Sequence, residues 1–176
     1  PDLLPTPFNN ESLEVFSKNI SIAQEKLGRE LLLENPSTYF EFNESTMSVF
    51  EFLNALTKRT GAKIILDVNN IYISGLNNGW SALEYIENID ASIIKEIHLS
   101  GHFVKELPNN KKLYIDSHDD YVCDEVWELY SLALKRFCLV PTLLEWDTNI
   151  PELSVLIGEA KRAEKYLHAS IEKEDA

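Results

Sequence analysis

Six side chains able to bind a metal recur along this chain: Glu34, Asp67, His98, Asp116, His118 and Glu145. Glu34, Asp67, His98 and Glu145 each close a short apolar run, and Asp116 and His118 follow a fifth extended stretch, Leu113-Tyr114-Ile115. Carboxylates gathered in one place repel one another and raise one another's pKa values unless a cation neutralises them. A divalent ion does so, and imidazole completes a mixed oxygen and nitrogen shell. Such a shell suits iron, manganese or zinc better than a thiolate-preferring ion. The donor set exceeds one tetrahedral site and fits two or more ions sharing carboxylates. Asp116-Ser117-His118 places two of the donors on one side of an extended segment, because side-chain direction repeats every two residues. Taken singly, each residue has a plainer reading. Asp67 reads equally as a helix cap, Glu34-Asn35-Pro36 as a turn, and His98 as a buried, satisfied histidine. Their shared position is what favours metal chemistry.

That position comes from the elements between them. Leu13, Phe16, Ile20, Ala23 and Leu27 follow the three-and-four spacing of an amphipathic helix, with Asn10 to cap it and Gly28 to stop it. Leu31-Leu32-Leu33 then reads as a strand buried on both faces. The alternation repeats. A helix over Met47, Phe50, Leu53 and Leu56, capped by Thr46 and stopped by Gly61, precedes a strand at Lys63–Leu66. A helix over Trp80, Leu83, Ile86 and Ile89 precedes a strand at Ile93–Leu99. A polar loop holding Pro108, Asn109 and Asn110 follows. A helix over Val126, Leu129, Ala133 and Phe137 precedes a strand at Pro141–Leu144, and the last helix starts near Pro151. Strands alternating with helices call for a parallel sheet. In such sheets ligands and catalytic groups gather at the C-terminal strand ends, where these six residues fall. Asp119 and Asp120 read as caps of the following helix or as solvent-facing, Trp127 and Tyr130 as core, and His168 as a surface residue.

Composition narrows the class. The chain has 176 residues with 16 Lys+Arg and 29 Asp+Glu, so its formal charge is 16 − 29 = −13. That balance argues against nucleic acid and against anionic membrane surfaces, since both need a cationic surplus. No apolar run reaches the roughly 18 residues of a membrane span, and no secretory signal pattern opens the chain. Only Cys123 and Cys138 are present, far apart, which favours a reducing cytoplasm over a disulfide scaffold. No linker or low-complexity segment divides the chain. It reads as a single α/β domain over residues 1–170 followed by a charged, frayed tail at 171–176.

Six ordered strings carry a family resemblance. They are Asp2-Leu3-Leu4-Pro5, Leu32-Leu33-Glu34-Asn35-Pro36-Ser37, Leu66-Asp67-Val68-Asn69-Asn70, Glu96-Ile97-His98-Leu99-Ser100-Gly101-His102, Ile115-Asp116-Ser117-His118-Asp119 and Leu144-Glu145-Trp146-Asp147. Together they resemble the bacterial family known as domain of unknown function 692, the multinuclear non-haem iron oxidative enzymes, from about Asp2 to Leu167. The resemblance implies a TIM-type (β/α) barrel similar to xylose isomerase, with two or three irons at the strand ends. It implies use of dioxygen to modify residues such as cysteine in ribosomally made precursor peptides, presented by a partner protein. By the same resemblance Glu34, Asp67, His98, Asp116, His118 and Glu145 match metal-binding positions. Asn70 falls where isomerase-like barrels carry a further ligand, and His102 matches a substrate-side position.

The N-terminal strands of that family, with two further histidine ligands, have no counterpart here, and the chain starts at Pro1. The expectation is therefore the C-terminal half to two-thirds of a barrel. Such a piece would expose strand edges and favour an oligomer or a completing partner. A metal-dependent sugar isomerase or epimerase is the rival on the same scaffold. A non-catalytic remnant of the barrel is the rival of another class.

Overall fold

A computed structural model describes residues 6–171. The Asp2-Leu3-Leu4-Pro5 string and the expected frayed tail lie outside the described residues, apart from Ile171, which closes the last helix. Twelve elements matter for the site. They are α1 (Asn10–Leu27), β1 (Leu32–Glu34), α2 (Val49–Thr60), β2 (Lys63–Asp67), α3 (Val68–Asn78), α4 (Ala82–Asn88), β3 (Ile94–Leu99), β4 (Phe103–Leu107), β5 (Lys111–Ile115), α5 (Asp124–Phe137), β6 (Thr142–Leu144) and α6 (Leu153–Ile171).

Strands β1, β2, β3 and β6 form one parallel sheet in the order β1-β2-β3-β6. Its register decides what shares a face. Glu34 stands opposite Ile65, two residues before Asp67; Asp67 stands opposite His98; His98 stands opposite Leu143, two residues before Glu145. Because strand side chains alternate, Glu34, Asp67, His98 and Glu145 all project from one face at one edge. The other face packs on the helices, with Ile64, Leu66, Ile97 and Leu99 fully buried beside Phe52, Leu56, Trp127 and Tyr130. The face bearing the site is more open: Leu32 and Leu143 are 37% and 45% exposed. Parallel sheets are ordinarily covered on both sides; among the described residues, the helices cover the opposite face more fully than this one.

The helices start and stop for identifiable reasons. Asn9, one residue before the expected cap, accepts from Ser12 N and opens α1, and Gly28 closes it with φ 64°. Ser48, not Thr46, caps α2 through a capping box with Glu51. Gly61 ends α2 at φ 78°, where a side chain would be strained. Neither Asp119 nor Asp120 caps α5; its N-cap is Cys123, without a side-chain bond. Two elements depart from expectation altogether. Helix α3 follows β2 without a loop, and an unexpected strand, β4, precedes the polar connection at Pro108–Asn110 and pairs antiparallel with β5 as a separate hairpin. The stretch leading to Asp116 therefore belongs to that hairpin and not to the parallel sheet. Among the described residues, no helix is long and apolar enough to cross a membrane.

Asn35 locks β1 to β2 beyond the last ladder bond. Its Nδ2 donates to Asp67 O at 2.9 Å and its Oδ1 accepts from Asp67 N at 2.8 Å, with only 1% of the residue exposed. Asn35→Ala strips both partners from the buried Asp67 backbone, which costs about 3 kcal/mol. A urea titration should show that loss with an unchanged m-value.

Candidate metal centre

Asp67 sits at the meeting of β2 and α3. One carboxylate oxygen accepts from Asn70 N at 2.6 Å and caps α3, so the cap reading of this residue holds. The other, Oδ2, is buried with no hydrogen-bond partner among the described residues. Burial, reinforced by Asp116 and Glu34 and opposed by the Asn70 amide and His118, pushes its pKa up to about 8. A carboxyl group held in this way is either protonated or facing a cation.

Around it stand Glu34, His98 and Glu145, each able to offer an atom such that all four donor atoms lie within 4.8 Å of one another. His98 Nδ1 is 3.2 Å from Glu145 Oε1, and His98 Nε2 is 3.3 Å from Glu96 Oε1. Burial opposes the His98 charge, but Glu145, Glu34 and Asp67 outweigh it and raise the pKa. The His98 contact, against the cost of burial, holds Glu145 below the usual carboxylate range. Burial and then Glu145 raise Glu34.

Asp116 and His118 adjoin this group. His118 Nε2 lies 2.7 Å from Asp116 Oδ1, and Nδ1 lies 3.3 Å from both Glu145 Oε2 and Asp147 Oδ2. Burial resists protonation of His118, but Asp116, Asp67 and Glu145 prevail and carry its pKa to about 9. The simple alternation expected for Asp116 and His118 is not what brings them together. Strand β5 ends at Ile115, and His118 turns through a left-handed φ of 47°.

The donors converge without satisfying one another. His98 Nδ1, both ring nitrogens of His118 and Asn70 Oδ1 join Asp67 Oδ2 as buried atoms lacking an aligned hydrogen bond among the described residues. Native interiors rarely leave such atoms orphaned. Ligands that await a cation look like this, and carboxylate plus imidazole is a donor set for iron, manganese or zinc. Asn70 also touches Glu34, its Nδ2 donating to Oε1 at 3.3 Å and to Asn35 O at 3.1 Å.

His102 stands apart from the cluster. Its Nδ1 is 2.8 Å from Asn69 Oδ1, and Asn69 Nδ2 donates to Asp116 Oδ1 at 3.3 Å. An amide oxygen accepts only, so this bond places the His102 proton on Nδ1 and leaves Nε2 with a free lone pair. Tyr72 and Tyr114 flank the ring, with centroids at 5.6 Å and 5.8 Å. Burial lowers the His102 pKa against the pull of several nearby carboxylates, Glu125 foremost, and so favours that neutral form. Asn69, Glu96 and Asp147 are the participants that sequence reasoning missed. Glu96 had a signal, being two residues before His98 on one strand. Asn69 had none, since it needs α3 to turn it toward the hairpin.

Fold and site together define a parallel α/β unit with carboxylates and imidazoles gathered at the C-terminal edge of the sheet. The chain belongs to the family described as RiPP precursor modification enzyme MbnB/TglH/ChrH, whose profile matches residues 1–168. Similar proteins include a UPF0276 protein of Vibrio vulnificus (strain YJ016), 42% identical over 170 residues that make up 97% of this chain and 58% of that one. Another, from Rhizobium meliloti (strain 1021), is 44% identical over 163 residues, 93% of this chain and 53% of its own length. A third, from Rhizorhabdus wittichii, is 42% identical over 172 residues, covering 98% and 60%. The chain thus spans somewhat more than half the length of these relatives.

Proposed function

We propose that this chain supplies part of a multinuclear non-haem iron centre that uses dioxygen to oxidise a residue, such as cysteine, in a ribosomally made precursor peptide. One observation carries the reading: four convergent strand-end donors with unsatisfied buried atoms, in a chain whose family modifies RiPP precursors. Glu34, Asp67, His98 and Glu145 hold one ion. Asp116 and His118, sharing Glu145, extend the site toward a second, and Asn70 Oδ1 is a further donor. When bound, iron supplies the redox chemistry with dioxygen that no side chain here possesses.

The chain's own residues do the rest. Asn35 and the α3 cap fix Asp67, so the ligand set is built before an ion arrives. His102, with Nε2 free, takes a proton from the substrate side, and Asn69 keeps its ring in that tautomer. The open sheet face is the inside of a TIM-type barrel completed by further strands. The chain acts as one domain over residues 1–170, in the cytoplasm, with a peptide-presenting partner or through association at its exposed edges.

Elemental mass spectrometry after anaerobic purification tests the centre. At least one iron per chain is expected, and Glu145→Gln should at least halve it, because that carboxylate faces both His98 and His118. An iron content unmoved by the substitution removes Glu145 from the ligands.

A further inference from the structure

The hairpin of β4 and β5 has two unlike edges. On the β5 side, α3 covers the edge at Tyr114: Asn77 Nδ2 donates to Tyr114 O at 2.9 Å, and Asn77 Oδ1 accepts from Tyr114 N at 3.0 Å. In an antiparallel pair each residue points both backbone groups either at its partner or away from it. Tyr114 therefore faces outward, as does its partner Val104, and Glu106 two residues further on. Among the described residues, nothing hydrogen-bonds the outward N–H and C=O of Val104 or Glu106. Open strand edges are templates for another chain.

Charge says which chain. Residues 103–115 hold Lys105, Lys111 and Lys112 against Glu106, a local +2 in a chain of −13. Lys112 pairs with Glu106 at 3.7 Å, which leaves Lys105 and Lys111 without an ion-pair partner among the described residues. Lys105 shares its face with Phe103, which is 52% exposed. Edge lysines repel basic strands and attract acidic ones, while a neutral strand gains no such attraction. Position says what for. Strand β4 leaves directly from His102, and β5 runs directly into Asp116.

We propose that the free edge of β4 binds an extended acidic peptide segment as a third strand and so lays it toward the candidate metal centre. This rests on the peptide-modifying reading above and adds the place and chemistry of peptide recognition. Backbone bonds would supply affinity, and Phe103 with the two free lysines would select the sequence.

The test uses the full chain and a fluorescein-labelled peptide of alternating threonine and glutamate, followed by anisotropy. Val104→Pro deletes one outward N–H and spares the β4–β5 ladder, since proline is tolerated where the N–H faces outward. It should weaken binding about tenfold, the equivalent of one lost hydrogen bond. Val104→Ala, which keeps the N–H, should bind like the parent. A threonine–glutamine peptide should bind at least about tenfold more weakly, as each lost charge contact removes a comparable interaction. The proposal is overturned if the acidic peptide does not bind, if the proline and alanine variants bind alike, or if the edge instead pairs two copies, seen as a dimer that Val104→Pro dissolves. Metal content is measured on the same samples. Peptide binding by a metal-free chain supports the edge and counts against the iron centre, whereas metal without peptide binding overturns the edge alone.

Discussion

Gly101→Ala should destabilise the protein by about 3 kcal/mol, the upper part of the range for forcing extra atoms into a packed site. It should also weaken metal binding. A Cβ at Gly101 would overlap the Asp120 carbonyl and come within 2.8 Å of Tyr121 O. Both obstacles are backbone, so no side chain can swing aside. The crowding follows from the route of the chain. Gly101 leaves the end of β3 between Ser100, which is fully buried, and His102. The segment over residues 116–121 crosses directly against it and is held from beyond by Asp147 N, which donates to His118 O at 2.7 Å. An added methyl must push one layer away from another. The layer that moves carries His118, and the layer that stays carries His98. Gly158→Ala is the matched control: its Cβ meets nothing within 4 Å, and it lies within α6, where alanine is the better helix former. Urea unfolding of the two variants checks the contrast. Equal midpoints would show that the two layers separate freely and that their close approach does not position the site.

The sequence made the parallel unit and its loaded edge legible because each strand ends on a polar residue after an apolar run. That pattern yielded β1, β2, β3 and β6 to within a residue or two, and it yielded Glu34, Asp67, His98 and Glu145 as one group. Helix α3 stayed hidden for a physical reason. Val68, Asn69, Asn70, Ile71, Ile73, Ser74 and Gly75 are buried whether apolar or polar, while Leu76 is 44% exposed, so polarity does not follow burial and no amphipathic period marks the helix. Its Asn-rich sequence also reads as a turn. Strand β4 was hidden by its neighbours, since Pro108, Asn109 and Asn110 make a tight connection that reads as loop, with Asn109 at φ 65° and Asn110 at φ 58°. Those two omissions account for the rest. Asn69 reaches His102 and Asp116 only because α3 turns it toward the hairpin, and Asp116 meets His118 only because the chain turns back after β5.

Metal loading at pH 7 should release about two protons per chain, and stability of the metal-free chain should fall as pH rises from about 6.5 to 8. Asp67 and His118 are the source. The folded chain holds Asp67 protonated up to about pH 8, whereas an unfolded aspartate ionises near 4. It holds His118 protonated up to about pH 9, whereas an unfolded histidine is neutral above about 6.5. In that window the folded state binds more protons than the unfolded state, so each group makes the slope of stability against pH negative. The two together give about 1 to 3 kcal/mol per pH unit. The lowered groups do not offset this. Glu145 acts below its ordinary value, where stability is lost as pH falls, and His102 likewise acts only below about 6.5. His98, raised by its carboxylates, adds to the trend. A ligand must give up its proton to bind, so a divalent ion removes both penalties and flattens the profile. Calorimetric titration with Zn²⁺ in buffers of different ionisation enthalpy counts the protons. Asp67→Asn should remove one of them while keeping an oxygen to cap α3. A heat of binding independent of buffer would mean that Asp67 and His118 are not ligands, and the ion would then have to sit on Glu34, His98 and Glu145 alone.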